Sequence, residues 1–156
     1  MEDDRSLLLR AIHLAESGII NGGGPFGAVI TRDGKILAEA GNRVVLSSDP
    51  TAHAEVVAIR KAASLLKSHD LKNCTLYCSC EPCPMCLGAI YWAGITKVVY
   101  ACNRLDAENA GFSDRYIYDE ISLDPSERHI RFVRIDNIGG EVVFKKWAEL
   151  DGRIQY

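Results

Sequence analysis

The spacing of apolar residues along the chain predicts helices and strands in alternation, the rhythm of an α/β fold. Residues 5–20 place apolar side chains three and four positions apart, which is typical of a helix, and the glycine-rich segment 21–25 ends it. Segments 26–31 and 35–40 predict two strands of a hairpin around the turn Arg32-Asp33-Gly34. The pattern continues with a helix from His53 to about Lys67, a strand over 74–80, a helix from Cys83 to near Gly94, a strand over 96–101, a short helix over 113–121, a strand over 130–135 and a helix over 141–150.

The chain is expected to form a single domain, residues 1–156, because it is long enough to bury a sizeable core and contains no linker or repeat. Gly139-Gly140 precedes a C-terminal arm, residues 141–156, which a glycine hinge would allow to close over a site or to swap between subunits. The acidic start, Met1-Glu-Asp-Asp-Arg, does not resemble a signal or transit peptide, and no apolar run reaches the ~18 residues of a membrane helix. The expected location is cytoplasmic.

The charge balance favours a small substrate over a nucleic acid. The net charge is −3 and the isoelectric point is about 5.8. Proteins that grip a phosphate backbone usually carry a basic face, whereas Lys and Arg are scattered here among Asp and Glu. We therefore expect a small, uncharged substrate and neither a nucleic-acid nor a membrane partner.

Two short motifs carry the candidate chemistry: Thr51-Ala-His53-Ala-Glu55 and Glu81-Pro-Cys83-Pro-Met-Cys86. His53, Cys83 and Cys86 would supply three ligands for one tetrahedral Zn²⁺ and leave the fourth position open for water. Cys83 and Cys86 share one face of a helical turn, and a helix N-terminus favours the thiolate form that binds metal. Glu55 is not needed as a ligand and is the candidate catalytic group for moving protons.

Two non-catalytic interpretations of these cysteines are alternatives to a catalytic zinc site. The C-x-x-C motif could be a redox pair, or half of a structural site in which Cys80 is the fourth ligand. The alternation of residues 74–80 instead places Cys74, Cys78 and Cys80 on one face of a strand, where cysteine packs as a small apolar residue. Packing is also expected for Cys102. The co-occurrence of H-x-E and P-C-x-x-C in this order favours catalysis.

Segments 49–60 (DPTAHAEVVAIR) and 79–93 (SCEPCPMCLGAIYWA) resemble the cytidine and deoxycytidylate deaminase superfamily. Within it they look like the branch that holds bacterial guanine deaminases and tRNA adenosine deaminases. Further matching positions are segment 24–30, Asn42, segment 110–114 and Tyr156. The resemblance implies a three-layer α/β/α cytidine-deaminase-like fold, with a five-stranded mixed sheet and helices on both faces. It also implies one zinc per subunit on His53, Cys83 and Cys86, with Glu55 as the proton shuttle.

The resemblance further implies a set of substrate-binding residues: Phe26, Asn42, Ala54, Trp92, Asp114 and Tyr156. Asn42 would hydrogen-bond the base, Phe26 and Trp92 would shape the pocket, and the segment ending at Tyr156 would close over it. The alternatives are a turn role for Asn42, core packing for the two aromatic residues and a helix cap for Asp114.

The resemblance implies hydrolytic deamination of guanine to xanthine and ammonia, by a homodimer that can exchange its C-terminal arms. Guanine carries a ring N–H beside the reacting carbon, and the carboxylate of Asp114 could accept a hydrogen bond from it. One alternative is a guanosine deaminase, which needs room for a ribose, and another is a tRNA-specific adenosine deaminase, which needs a basic groove. A non-catalytic zinc module is a third alternative, and it would have no need of Glu55.

Overall fold

The computed structural model describes residues 3–156, which form seven helices and four strands. In chain order they are α1 Asp4–Ile20, β1 Gly27–Arg32, β2 Lys35–Gly41, α2 Val44–Ser47, α3 Ala54–Leu66, β3 Cys74–Cys80, α4 Pro84–Trp92, β4 Lys97–Cys102, α5 Arg104–Asn109, α6 Asp114–Ser122 and α7 Glu141–Glu149. The predicted elements agree with these bounds to within two residues, except the strand over 130–135, which is absent. The short helices α2 and α5 were not predicted.

The four strands form one mixed sheet in the order β2-β1-β3-β4. β1 pairs antiparallel with β2 and with β3, whereas β3 and β4 run parallel. The β1–β2 hairpin turns at Asp33 and Gly34, whose φ angles of 52° and 72° are those of a tight turn that matches the strand twist. The parallel pair brings the C-terminal ends of β3 and β4 to one edge, where the functional segments begin.

Helices cover both faces of the sheet, so the three-layer arrangement is confirmed. On one face Leu7 and Ala11 of α1 pack against Val29 and Tyr77 of the sheet. On the other face α3 and α4 bury a larger cluster that includes Ile30, Leu76 and Ile90. Gly27 lies where α1 crosses β1, and a side chain there would overlap the carbonyl oxygen of Ala11. Glycine at this position lets α1 pack directly against β1.

The prediction of five strands is wrong for this chain, because residues 131–136 form no strand. Ile130, Phe132, Val133 and Ile135 are all more than half exposed. Their apolar side chains suggested a strand, but a strand also needs a neighbour for its backbone groups. No described strand pairs with this segment, so its local pattern is not realised as sheet.

Contacts group the chain into two compact units, one ending at Tyr118 and the other spanning Asp119–Tyr156. The second unit contains α7, and Arg128 organises its loop by donating to the carbonyl oxygens of Ile121 and Leu123. The predicted arm, 141–156, lies within this unit, and its closure or exchange stays a prediction. Among residues 3–156, no helix combines the length and the apolar character that crossing a membrane requires.

Candidate zinc and catalytic site

The candidate metal ligands lie at the N-termini of two neighbouring helices. His53 is the N-cap residue of α3 and Cys83 is the N-cap residue of α4, so both lie in extended backbone just before a helix. Pro84 occupies the first turn of α4, where its missing N–H costs no hydrogen bond. Cys86 follows within that turn and faces the same point as Cys83. The sequence therefore builds the site from two helix beginnings.

The ligand atoms have the spacing of a tetrahedral zinc site. The Nδ1 atom of His53 lies 3.5 Å from the Sγ atom of Cys83 and 3.6 Å from that of Cys86. Zinc bonds of about 2.3 Å to sulfur and 2.05 Å to nitrogen, at a tetrahedral angle, place such atoms about 3.6 Å apart. All three ligand atoms lie within 4.8 Å of one another. Two thiols and one imidazole at these distances fit zinc and leave one coordination position free of protein.

The two cysteine thiols of the site differ in acidity. A hydrogen bond from Cys86 lowers the pKa of the Cys83 thiol, whereas the same contact and burial raise the pKa of Cys86. The hydrogen bond with Cys83 raises the pKa of His53. Cys83 therefore loses its proton readily, whereas deprotonation of Cys86 is unfavourable. Zinc has to displace protons from the site as it binds.

Glu55 is buried beside the ligands, with 5% of its surface exposed. The thiol of Cys86 donates to its Oε2 atom across 3.4 Å. Burial raises the pKa of this carboxyl group, since a charge there loses its hydration. A carboxyl group with a raised pKa can accept and return a proton, which is the behaviour of a general acid–base group.

His53, Cys83 and Glu55 open onto one cavity of about 410 Å³. Its size is within the range of small-molecule sites. Its other lining residues are Gly23, Gly24, Phe26, Asn42, Val44, Val45, Glu81, Phe112 and Asp114. The structure therefore brings three of the predicted substrate contacts, Phe26, Asn42 and Asp114, to the candidate metal site.

The side chain of Asn42 is held in one orientation. Its carbonyl oxygen accepts a hydrogen bond from the backbone N–H of Val44 at 3.1 Å, which leaves the NH₂ group as the donor for a substrate. Gly23 and Gly24 lie against Asn42, and a Cβ atom on Gly24 would approach its Cγ atom to 3.1 Å. These glycines let the backbone approach Asn42 closely.

The two carboxyl groups at the wall of the cavity differ in environment. Burial and the neighbouring Cys83 thiolate raise the pKa of Asp114. Glu81 instead pairs with the guanidinium of Arg104 at 2.6 Å, and this hydrogen bond lowers its pKa. Asp114 also begins α6, so it occupies the first turn of a helix and faces the cavity as well.

Phe112 is a cavity residue that sequence reasoning missed. Its ring meets that of Phe26 edge to face, with centroids 4.7 Å apart, and the pair forms an apolar wall. Its position two residues before Asp114 was the available signal. Val44, Val45 and Glu81 were also missed. The two valines form part of the short helix α2, which no hydrophobic period announced.

The remaining predicted contacts lie elsewhere. The Ala54 side chain is fully buried in the core, so only its backbone at the first position of α3 is available to a ligand. Trp92 ends α4 and is 68% exposed, outside the cavity lining. It lies nine residues after Cys83, which corresponds to about 14 Å along the axis of α4. Tyr156 belongs to the second unit and is exposed, and its predicted role stays a prediction.

The chain is similar to a known protein family and to individual proteins. Residues 1–102 match the cytidine and deoxycytidylate deaminase zinc-binding region. The chain is 50% identical to a guanine deaminase of Bacillus subtilis over 152 residues, 97% of each protein. An X-ray structure of guanine deaminase from Bacillus subtilis superposes with a TM-score of 0.96 at 49% identity, over 99% of both chains.

A more distant relative is a tRNA-specific adenosine deaminase of Haemophilus influenzae. It is 34% identical over 125 residues, which are 79% of this chain and 71% of that protein. The matched family region contains His53, Cys83 and Cys86, which form the candidate metal group, and Glu55, which lies beside them. This chain therefore belongs to the cytidine and deoxycytidylate deaminase family of zinc-dependent enzymes.

Proposed function

We propose that this chain hydrolyses guanine to xanthine and ammonia. The observation that carries the proposal is the 50% identity to the Bacillus subtilis guanine deaminase along 97% of both chains. Similarity to the tRNA-specific adenosine deaminase of Haemophilus influenzae is lower and covers less of each protein. The net charge of −3 also disfavours a nucleic-acid substrate.

The chain's own residues account for the proton transfers of such a reaction. Zinc held by His53, Cys83 and Cys86 would activate a water molecule for attack on the amino-bearing carbon. Glu55 takes the proton of that water and delivers it to the adjacent ring nitrogen. It then protonates the departing amino group, which leaves as ammonia. One buried carboxyl group with a raised pKa can perform both transfers.

Recognition of guanine rests on two polar groups at the cavity wall. The oriented NH₂ group of Asn42 donates to a ring acceptor such as the guanine carbonyl oxygen. Asp114 accepts from the ring N–H beside the reacting carbon, a donor that adenine lacks. A base without that N–H would leave a half-buried carboxyl group without its partner, which costs binding energy. Phe26 and Phe112 supply the apolar wall for the ring.

The proposal extends to a homodimer in the cytoplasm, with C-terminal arms that can be exchanged. Support comes from large apolar side chains that are solvent-exposed in this single chain. Tyr91 and Trp92 at the end of α4 are 78% and 68% exposed, and α4 has no polar face to justify such exposure. An exposed apolar surface of this kind usually binds a partner. Gel filtration at low concentration tests the dimer.

Ammonia release by the zinc-loaded protein tests the proposed reaction. The substrates are guanine, guanosine, adenine, cytosine, cytidine and a tRNA, each at equal concentration. Release from guanine with the other substrates inert is the expected result. Release from guanosine and not from guanine would reassign the chain to a nucleoside deaminase. Release from tRNA alone would refute the small-molecule proposal and leave the zinc site intact.

A further inference from the structure

A pair of cysteines outside the zinc site lies at the end of the parallel strand pair. Cys80 ends β3 and Cys102 ends β4, and they are register partners in the sheet. Register partners in a parallel pair point to the same face, and their strands lie about 4.8 Å apart. Disulfides join Cα atoms that are about 4.4–6.8 Å apart, so this backbone placement suits a bridge.

Both side chains reach one small groove. It has a volume of about 270 Å³ and lies beside the catalytic cavity, from which Phe26 and Phe112 separate it, since these rings line both. Neither cysteine is in a disulfide. Cys80 is buried and its thiol donates to the carbonyl oxygen of Asn103 at 3.5 Å. Cys102 is exposed, so the expectation that it packs in the core is wrong. Burial is the main cause that raises the pKa of Cys80 to about 12, and the charge of a neighbouring Cys102 thiolate adds to the shift. An oxidant in solution therefore meets Cys102 first.

The other cysteines are not placed for this chemistry. Cys78 is the register partner of Tyr100, and Cys74 that of Arg32, so neither faces a cysteine across the sheet. Cys83 and Cys86 belong to the candidate metal site and are occupied when zinc is bound. Cys80 and Cys102 thus differ from the four other cysteines in pairing across strands.

We infer that Cys80 and Cys102 form a reversible redox site, which hydrogen peroxide closes into an intrachain disulfide. In the first step the Cys102 sulfur attacks the peroxide, the O–O bond breaks, and a sulfenic acid and water form. In the second step the Cys80 sulfur attacks the sulfenic sulfur, an S–S bond replaces the S–O bond, and a second water leaves with the thiol proton. Two thiols are oxidised and one peroxide is reduced, and a dithiol reverses the reaction.

The position of the bridge links it to the active site. The backbone N–H of Glu81 already donates to the carbonyl oxygen of Cys102 at 2.8 Å, so the strand ends are held together before oxidation. Glu81 leads to the ligand Cys83, and Asn103 leads through α5 towards Phe112. A disulfide here would fasten the segment that bears the zinc ligands to the segment that bears the cavity wall.

The test is peptide mapping of the zinc-loaded protein after treatment with hydrogen peroxide and blocking of the remaining thiols. Trypsin cuts after Lys72, Lys97 and Arg104, so the bridge links peptide 73–97 to peptide 98–104. We expect this linked pair in the wild type and its loss after treatment with a dithiol. The linked protein should melt roughly 5 °C higher than the reduced form.

Variants assign the bridge, because peptide 73–97 contains the five other cysteines. Cys102→Ser changes an exposed side chain and should abolish the link without affecting folding. Cys80→Ala should abolish it too, whereas the matched control Cys74→Ala should keep it. A link that persists in Cys80→Ala, loss of zinc on formation of the link, or Cys102 oxidised to sulfinic acid with no link would each overturn the inference.

Discussion

Replacing Glu55 by Gln tests the assignment of the proton shuttle most directly. The substitution keeps the size of the side chain and removes its ability to accept and return a proton. General acid–base groups typically contribute a factor of about 10²–10⁴ in rate, which corresponds to roughly 3–5 kcal/mol of barrier. We therefore expect kcat for guanine to fall by about a thousandfold. Zinc content should be unchanged, because the three metal-ligand atoms do not include Glu55.

Glu81→Gln is the matched control, because Glu81 lines the same cavity and carries the same functional group. Its carboxylate is neutralised by Arg104 at 2.6 Å, and this contact lowers its pKa, so it has no proton to move near neutral pH. Loss of this partly exposed ion pair should lower kcat less than roughly tenfold. The comparison separates proton transfer from the mere charge of the cavity.

The assay is steady-state ammonia release, with zinc measured on the same samples. A Glu55→Gln enzyme that is fully zinc-loaded and keeps more than a tenth of the wild-type kcat would refute Glu55 as the proton carrier. Equal losses in Glu55→Gln and Glu81→Gln would show that the cavity needs negative charge and no specific shuttle. Loss of zinc in Glu55→Gln would show that Glu55 stabilises the bound metal. A loss of activity in this variant would then not support Glu55 as the proton carrier.

Three further predictions follow from the same geometry. Asn42→Asp keeps the acceptor for Val44 and loses the NH₂ donor, so kcat/KM for guanine should fall roughly 10- to 100-fold with circular dichroism and zinc content unchanged. Phe112→Ala removes the edge-to-face contact with Phe26 and should lower the free energy of unfolding by about 2 kcal/mol in urea titrations, with a smaller loss for Phe112→Leu. In zinc-free protein, the pKa of Glu55 in the folded state lies above its ordinary value of 4.5. The contribution of this carboxyl group to the free energy of unfolding is therefore complete below pH 4.5 and is lost as the pH rises towards the raised pKa. Urea midpoints of Glu55→Gln and the wild type should therefore coincide near pH 4 and diverge in favour of the variant at higher pH, and parallel curves would contradict the burial of this charge.

Much of the site could be predicted because its candidate functional residues lie close together within two short motifs. His53 and Glu55 stand two residues apart, and Cys83 and Cys86 stand three apart. At the start of a helix, the number of residues between two side chains fixes their relative directions. The local sequence was therefore enough to propose the ligands and the proton shuttle. The turn at Asp33-Gly34 was predictable for the same reason, since its positive φ angles are a local property.

Contacts between distant segments could not be predicted in this way. Phe112 follows the last strand of the sheet, yet its ring packs on Phe26, which precedes the first. Trp92 stands near the metal ligands in sequence, but the length of α4 carries it away from the cavity. In both cases proximity along the chain and proximity in space differ, because helix length and strand order set the final distances.

The sequence by itself determined most of the helices and strands and the two short motifs that contain the candidate metal ligands and the candidate proton shuttle, because each of these depends on residues within a few positions of one another. Only the tertiary structure decided that residues 131–136 stay outside the sheet and that Phe112 meets Phe26 at the cavity wall. It also decided that Cys80 stands beside Cys102. Strand pairing, side-chain orientation and cross-strand neighbours are set by contacts between segments far apart in the chain, and no local pattern encodes them.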